Sequence, residues 1–224
     1  MKSYTFKMKM LPANILCLFI YISLFIISVL LDVEFYDNNW SPVLVITGII
    51  IYFSIHELLH GLGYVLGGAK SKNIKYGVAL ERGILYTLCR EEITKKNILI
   101  SLCMPFLVIG VITYIIGAIL ELKFLVLLSI CNLAGATMDL VMFIYIASIN
   151  KVHYSETDAC DEFVLITDKD LSKRKNIFFK IVNKKEYNKK DFIFKNKVPK
   201  FTISRISIYI IIILIVFTLI STII

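Results

Sequence analysis

Five stretches of this chain are too long and too apolar for the helices of an ordinary water-soluble core: Leu11–Leu31, Pro42–Leu66, Asn97–Leu120, Phe124–Ile149 and Ile206–Ile224. A helix rises about 1.5 Å per residue, so roughly 20 apolar residues cross the ~30 Å hydrocarbon layer of a bilayer. In that layer every backbone N–H and C=O must be satisfied within the segment, which leaves the helix as the natural form for each run. The overall composition agrees: 58% of residues are hydrophobic and mean hydropathy is +0.77. The expected fold is therefore an all-α polytopic membrane protein of about five transmembrane helices. To it are added a small cytoplasmic β-hairpin and a basic cytoplasmic segment between the last two spans.

The segments between the runs set the organisation. Residues 1–41 comprise a basic tail, the first span and an acidic loop; the first run is too long for a cleavable signal, whose apolar region covers about 7–15 residues. Residues 42–150 form a core of three spans with a loop at 69–96, in which Ile74–Leu80 and Gly83–Cys89 read as strands joined at Glu81-Arg82. Residues 151–204 are dense in lysine, with strand-like Phe163–Thr167 and Ile177–Val182, and 205–224 form a plain anchor. Ser41-Pro42 is a helix start and Gly67-Gly68 a helix stop. Pro105 implies a kink in the third span.

Lysine and arginine alternate across these segments. The tail has three, the 32–41 loop none, the 69–96 loop seven, the 121–123 turn one and the 150–205 segment fourteen. The positive-inside rule then puts the N-terminus in the cytoplasm and the C-terminus outside, a multi-pass arrangement in the cell membrane. Net charge is +8, but the cations cluster beside apolar runs, so the expected partner is the anionic cytoplasmic leaflet of the lipid bilayer and not nucleic acid. The five cysteines show no C-x-x-C spacing, which argues against a disulfide framework or a thiolate zinc site.

Inside the second run stands His56-Glu57-Leu58-Leu59-His60-Gly61, an H-E-x-x-H sequence. On a helix, imidazoles at i and i+4 share one face and can hold one metal ion, and the intervening glutamate can act as a general base. Zinc suits imidazole, and a catalytic zinc keeps three protein ligands and one open position. The third ligand must come from elsewhere. Counted from the cytoplasmic ends of their spans, His56 and His60 lie about 10–17 Å deep, Asp139 about 15 Å and Pro105 about 12 Å. Glu57 and Asp139 are the acidic residues well inside a span. A carboxylate there costs about 2.5–3.5 kcal/mol, which a shared cation would offset. Asp139 is thus a candidate ligand, with an interhelical hydrogen bond as the alternative. Asn132, two turns earlier on the same face, is a candidate donor to a substrate carbonyl or oxyanion, or a bond to a neighbouring helix.

Together, His56-Glu57-Leu58-Leu59-His60-Gly61 and the later Asn132-Leu133-Ala134-Gly135-Ala136-Thr137-Met138-Asp139 resemble the site-2 protease type of intramembrane zinc metalloprotease. The similarity is greatest to bacterial membrane proteins described as zincin peptidases, and it spans about residues 42–170. It implies a Zn²⁺ site of His56, His60 and Asp139 with Glu57 as base. It also implies hydrolysis of a protein or peptide substrate within or beside the bilayer. One departure stands out: site-2 proteases place prolines before this aspartate and a glycine after it, whereas Leu140 follows Asp139 here. Two other classes fit the same residues. A structural zinc site joining two helices would show a fourth protein ligand, and a metal or ion transporter would show polar residues along a path through the bilayer.

Overall fold

A computed structural model describes residues 1–79, 84–157, 159, 161–174 and 176–188. The expected fifth span at 206–224, the charged stretch beyond residue 188 and the Glu81-Arg82 turn lie outside the described residues. In order, the elements are β1 (Lys2–Met8), α1 (Met10–Leu30), α2 (Pro42–Gly67), β2 (Ile74–Ala79), β3 (Ile84–Cys89), β4 (Ile93–Thr94) and α3 (Lys95–Pro105). Then follow α4 (Thr113–Ile119), α5 (Lys123–Gly135), α6 (Thr137–Ala147), β5 (His153–Glu156), β6 (Glu162–Thr167) and β7 (Phe179–Glu186). Wide π-helical turns over Phe106–Ile112 join α3 to α4, so Lys95–Ile119 is one continuous helical rod.

The structure corrects the all-α expectation. Strands β4-β5-β6-β1-β7 form a five-stranded antiparallel sheet. The N-terminal tail is its inner strand: Lys2–Lys7 pairs with Thr167–Glu162 on one side, and Lys2–Met8 with Glu186–Phe179 on the other. The tail qualifies because its apolar and polar residues alternate. Tyr4 and Phe6 are buried on the inner face, where Phe6 stacks on Phe163 at 5.3 Å and meets Tyr145 of α6 edge-on at 5.6 Å. A cluster of Tyr4, Phe6, Leu165, Phe179, Ile98, Leu102 and Ile146 welds this sheet to the ends of α3 and α6. The separate hairpin β2–β3 forms as expected.

Among the described residues, three helices are long and apolar enough to cross a membrane: Met10–Leu30, Pro42–Gly67 and Lys95–Ile119. The expected fourth span is instead a pair, α5 and α6, bent by 46° at Ala136, which counts as a fourth crossing only if the pair is taken as one span. The break has a local cause. The Ala136 N–H still makes the ordinary helical bond to the Asn132 carbonyl at 2.7 Å, but the Thr137 hydroxyl donates to the Ala134 carbonyl at 2.6 Å, so a side chain takes up a helix acceptor at the bend. The ends of α2 follow the sequence: Ser41 Oγ accepts from the Leu44 N–H at 3.2 Å, and Gly68 closes the helix at φ 107°.

Candidate metal centre

Three groups on two helices converge. His56 and His60, one turn apart on α2, point Nε2 atoms at each other across 3.0 Å. Asp139, in the first turn of α6, places Oδ2 at 3.3 Å from His56 Nε2 and 3.5 Å from His60 Nε2. A second triple, with Glu57 in place of Asp139, holds its ligand atoms within 4.8 Å of one another. The triple with Asp139 is the tighter one, and its edges suit a tetrahedron: bonds of about 2.0–2.1 Å imply ligand separations of about 3.3–3.4 Å.

The protons can be assigned from partners that only accept. The Pro105 carbonyl accepts from Asn132 Nδ2 at 3.1 Å, which fixes the amide with Oδ1 towards His56 Nδ1 at 2.8 Å. His56 Nδ1 therefore carries the hydrogen. His60 Nδ1 faces the Ser101 carbonyl at 3.0 Å and must carry one too. In the neutral ring that leaves Nε2 with a lone pair. Two such lone pairs and a carboxylate oxygen meeting at this distance require a positive charge between them, either a metal ion or a proton on one Nε2 that makes an imidazolium–carboxylate pair. Zinc fits this donor set.

Pro105 explains why the Ser101 carbonyl is available. A proline in a helix has no N–H for the carbonyl four residues earlier, so Ser101 lacks its usual intrahelical donor. His60 supplies one, and the Ser101 hydroxyl answers by donating to the His60 carbonyl at 2.9 Å. This link demands close backbones. A Cβ on Gly63 would come within 2.5 Å of Ser101 Cα, and one on Gly67 within 2.5 Å of Asn97 Cα. The two glycines give α2 a smooth strip on which α3 lies.

Asn132 is fully buried behind His56, with both ends of its amide engaged, so it orients the imidazole and does not face the open side of the site. Glu57 lies beside the two imidazoles on a cavity of about 400 Å³ that also reaches Asp139, Tyr86, Thr87, Tyr154 and Glu156. The hairpin forms one wall: the Thr87 hydroxyl donates to the Glu57 carbonyl at 2.7 Å. His153 is half-exposed on β5 against Glu92 at 3.1 Å, away from the triple.

Glu156 is a site feature the sequence reading did not single out. It closes β5, is 8% exposed, and accepts from the Tyr64 hydroxyl at 2.6 Å and the Cys89 N–H at 2.8 Å. Burial raises its carboxyl to about 7, against the opposing pull of these two donors and of Arg90 and His60. Burial and the same carboxylate push the Cys89 thiol up to about 12, so it stays a neutral thiol. A tyrosine one turn beyond His60 on the ligand-bearing face was the available signal.

Residues 49–154, just under half of the chain, match the model of a family described as "Putative zincin peptidase". The matched segment carries His56, Glu57, His60 and Asp139 and ends in β5. No curated protein and no solved structure matches the chain. The family likeness supports a zinc-dependent peptidase activity for the segment.

Proposed function

We propose that the protein is a zinc metallopeptidase embedded in the membrane, with His56, His60 and Asp139 holding the metal and Glu57 as general base. The observation that carries this reading is the convergence of two imidazole Nε2 atoms and one carboxylate oxygen within 3.5 Å, the two imidazoles fixed by hydrogen bonds on their far sides. Zinc, when bound, acidifies water towards a pKa of about 7 and polarises a carbonyl. Glu57 takes the proton of the attacking water and returns it to the departing amine. Asn132 and Ser101 keep the imidazoles in the tautomer that presents Nε2. The β3 strand pairs with β2 on one side and lines the cavity through Leu85–Leu88, so its other edge suits an extended peptide.

Membrane placement is supported by the three candidate crossings and by what they leave outside: Phe19 and Leu30 of α1, Val43 of α2 and Ile119 of α4 are all more than 60% exposed. The pairing of β1 with β6 and β7 puts the N-terminal tail and the segment after α6 on one side. This agrees with a cytoplasmic assignment for both basic segments, and it requires the bent α5–α6 pair to count as one crossing. Zinc analysis of the purified protein, alongside release of peptides from a membrane-anchored substrate library, tests the proposal. Wild type should carry stoichiometric zinc and hydrolyse; Glu57→Gln should keep the metal and lose turnover; Asp139→Ala should lose both. Zinc retention with no hydrolysis in wild type would point instead to a structural site.

A further inference from the structure

A second cavity lies away from the metal centre, where the sheet meets the ends of two candidate spans. It is an open groove of about 620 Å³ bordered by Lys9, Arg174 and Lys180, with Ser172 and Asn176 beside them, exposed Ile177 and half-buried Ile181 as its apolar part, and Phe6 and Phe179 buried beneath. Among the described residues no carboxylate lines it. Two other cations of this sheet are matched, Lys7 with Asp161 at 3.2 Å and Lys184 with Asp170 at 3.2 Å. The three groove cations have no carboxylate partner among the described residues. Lys9 donates to the Asn176 carbonyl at 3.4 Å, and Arg174 to the hydroxyl and carbonyl of Ser148 at 2.9 and 3.3 Å.

The location restricts the occupant. Lys9 is the residue before α1, and Ser148, which Arg174 holds, is the residue after α6. The groove therefore sits where two membrane-crossing elements emerge on the same side, at the level of lipid phosphates. Its rim carries Ile177, 69% exposed, with half-buried Ile181 close by. Three cations without a carboxylate partner, beside exposed Ile177 and half-buried Ile181 at that level, are complementary to a phosphodiester with a hydrocarbon tail. We propose that this groove binds the headgroup of an anionic phospholipid of the cytoplasmic leaflet, with the phosphate on Lys9, Arg174 and Lys180. The inference rests on the membrane placement proposed above and not on the metal chemistry.

The full chain in mild detergent is titrated with phosphatidylglycerol or phosphatidylcholine, and retained lipid is counted by native mass spectrometry. Wild type should retain phosphatidylglycerol in clear preference. Lys180→Gln and Lys9→Gln should each weaken retention about fivefold, and the double variant by more than tenfold. Lys184→Gln, which removes a matched cation, should not change it. Arg174→Gln is avoided as the main test because Arg174 also caps α6. Equal retention of the two lipids by wild type, or unchanged retention by the double variant, overturns the proposal. Displacement of the lipid by inorganic phosphate at a similar concentration overturns it in favour of a free-anion site. Incorporation into nanodiscs of phosphatidylcholine alone reports separately on membrane placement: if the protein does not enter them, that reading fails first.

Discussion

The Tyr64 hydroxyl donates to Glu156 Oε1 at 2.6 Å, and through it α2, the helix of His56 and His60, is tied to the sheet. Tyr64 lies one turn past His60 on α2; Glu156 ends β5; its second oxygen holds the Cys89 N–H at the end of β3. One carboxylate thus joins α2, the hairpin and the sheet at the wall of the cavity beside His56, His60 and Asp139.

This carboxylate should make stability depend on pH in an unusual direction. Its value rises from 4.5 to about 7 on folding, with burial the main cause. Below about 4.5 it is protonated in both states; between 4.5 and about 7 the folded protein binds the extra proton, so stability falls as pH rises through this window. The full loss is on the order of 3 kcal/mol, complete above about 7. Glu156→Gln keeps both contacts, since its amide oxygen can accept from Cys89 and its NH₂ can donate to the Tyr64 oxygen. Thermal midpoints of the two proteins from pH 4.5 to 8 should therefore diverge, with the variant gaining on wild type as pH rises. Parallel curves would remove Glu156 from the pH response. Glu156→Ala, which orphans both donors, should cost about 2–4 kcal/mol near pH 4.5 and progressively less towards pH 7, because the titrating group is gone.

Pro105→Ala tests the origin of the Ser101 acceptor. Alanine restores an amide N–H that competes with His60 Nδ1 for the Ser101 carbonyl. Helix Lys95–Ile119 should tolerate or welcome the change, while zinc affinity drops about tenfold, the lower end for loss of a partner that orients a ligand. Competition with a fluorescent zinc chelator measures it. Unchanged affinity would mean that His60 is held by other contacts.

Much of the helical frame was legible because each end has a local chemical cause: the Ser41-Pro42 start, the Gly68 stop, and the turn in which Glu121 adopts φ 56°. The hairpin was legible for the same reason. The five-stranded sheet was not. Tyr4 and Phe6 alternate with polar residues, but a lone seven-residue strand is defined by its partners, and those of β1 lie more than 150 residues away. The break at Ala136 was hidden because Gly135-Ala136-Thr137 adds no charge to the apolar run; only the competition of Thr137 for a helix carbonyl reveals it. At the site, the i, i+4 spacing of His56 and His60 and the depth of Asp139 could be read from helix geometry. The role of Asn132 could not, since it depends on which carbonyl stands behind it.

Asn132→Leu is nearly isosteric and leaves two groups without partners, His56 Nδ1 and the Pro105 carbonyl. The imidazole is then free to change tautomer or swing, so zinc affinity should fall between about ten- and a hundredfold. Asn132→Asp, which can still accept from Nδ1, should retain more affinity than leucine does. If Asn132 instead acted on substrate, both variants would keep the metal and lose turnover; isothermal titration with zinc separates these outcomes without an activity assay.

Gly63→Ala tests whether the site depends on the separation of α2 and α3. The new methyl would lie 2.5 Å from Ser101 Cα and 3.0 Å from its nitrogen, both backbone atoms that cannot rotate away. The helices must part by roughly an ångström, at a cost of about 1–3 kcal/mol. The same displacement stretches the reciprocal bonds between His60 and Ser101, now 3.0 and 2.9 Å. A lowered thermal midpoint and weakened zinc binding should therefore appear together. Leu62→Ala, one residue away on an exposed part of α2, should leave both nearly unchanged. A Gly63→Ala protein that loses stability but binds zinc as tightly as wild type would show that the imidazole is positioned by α2 alone, and that α3 serves only as its packing partner.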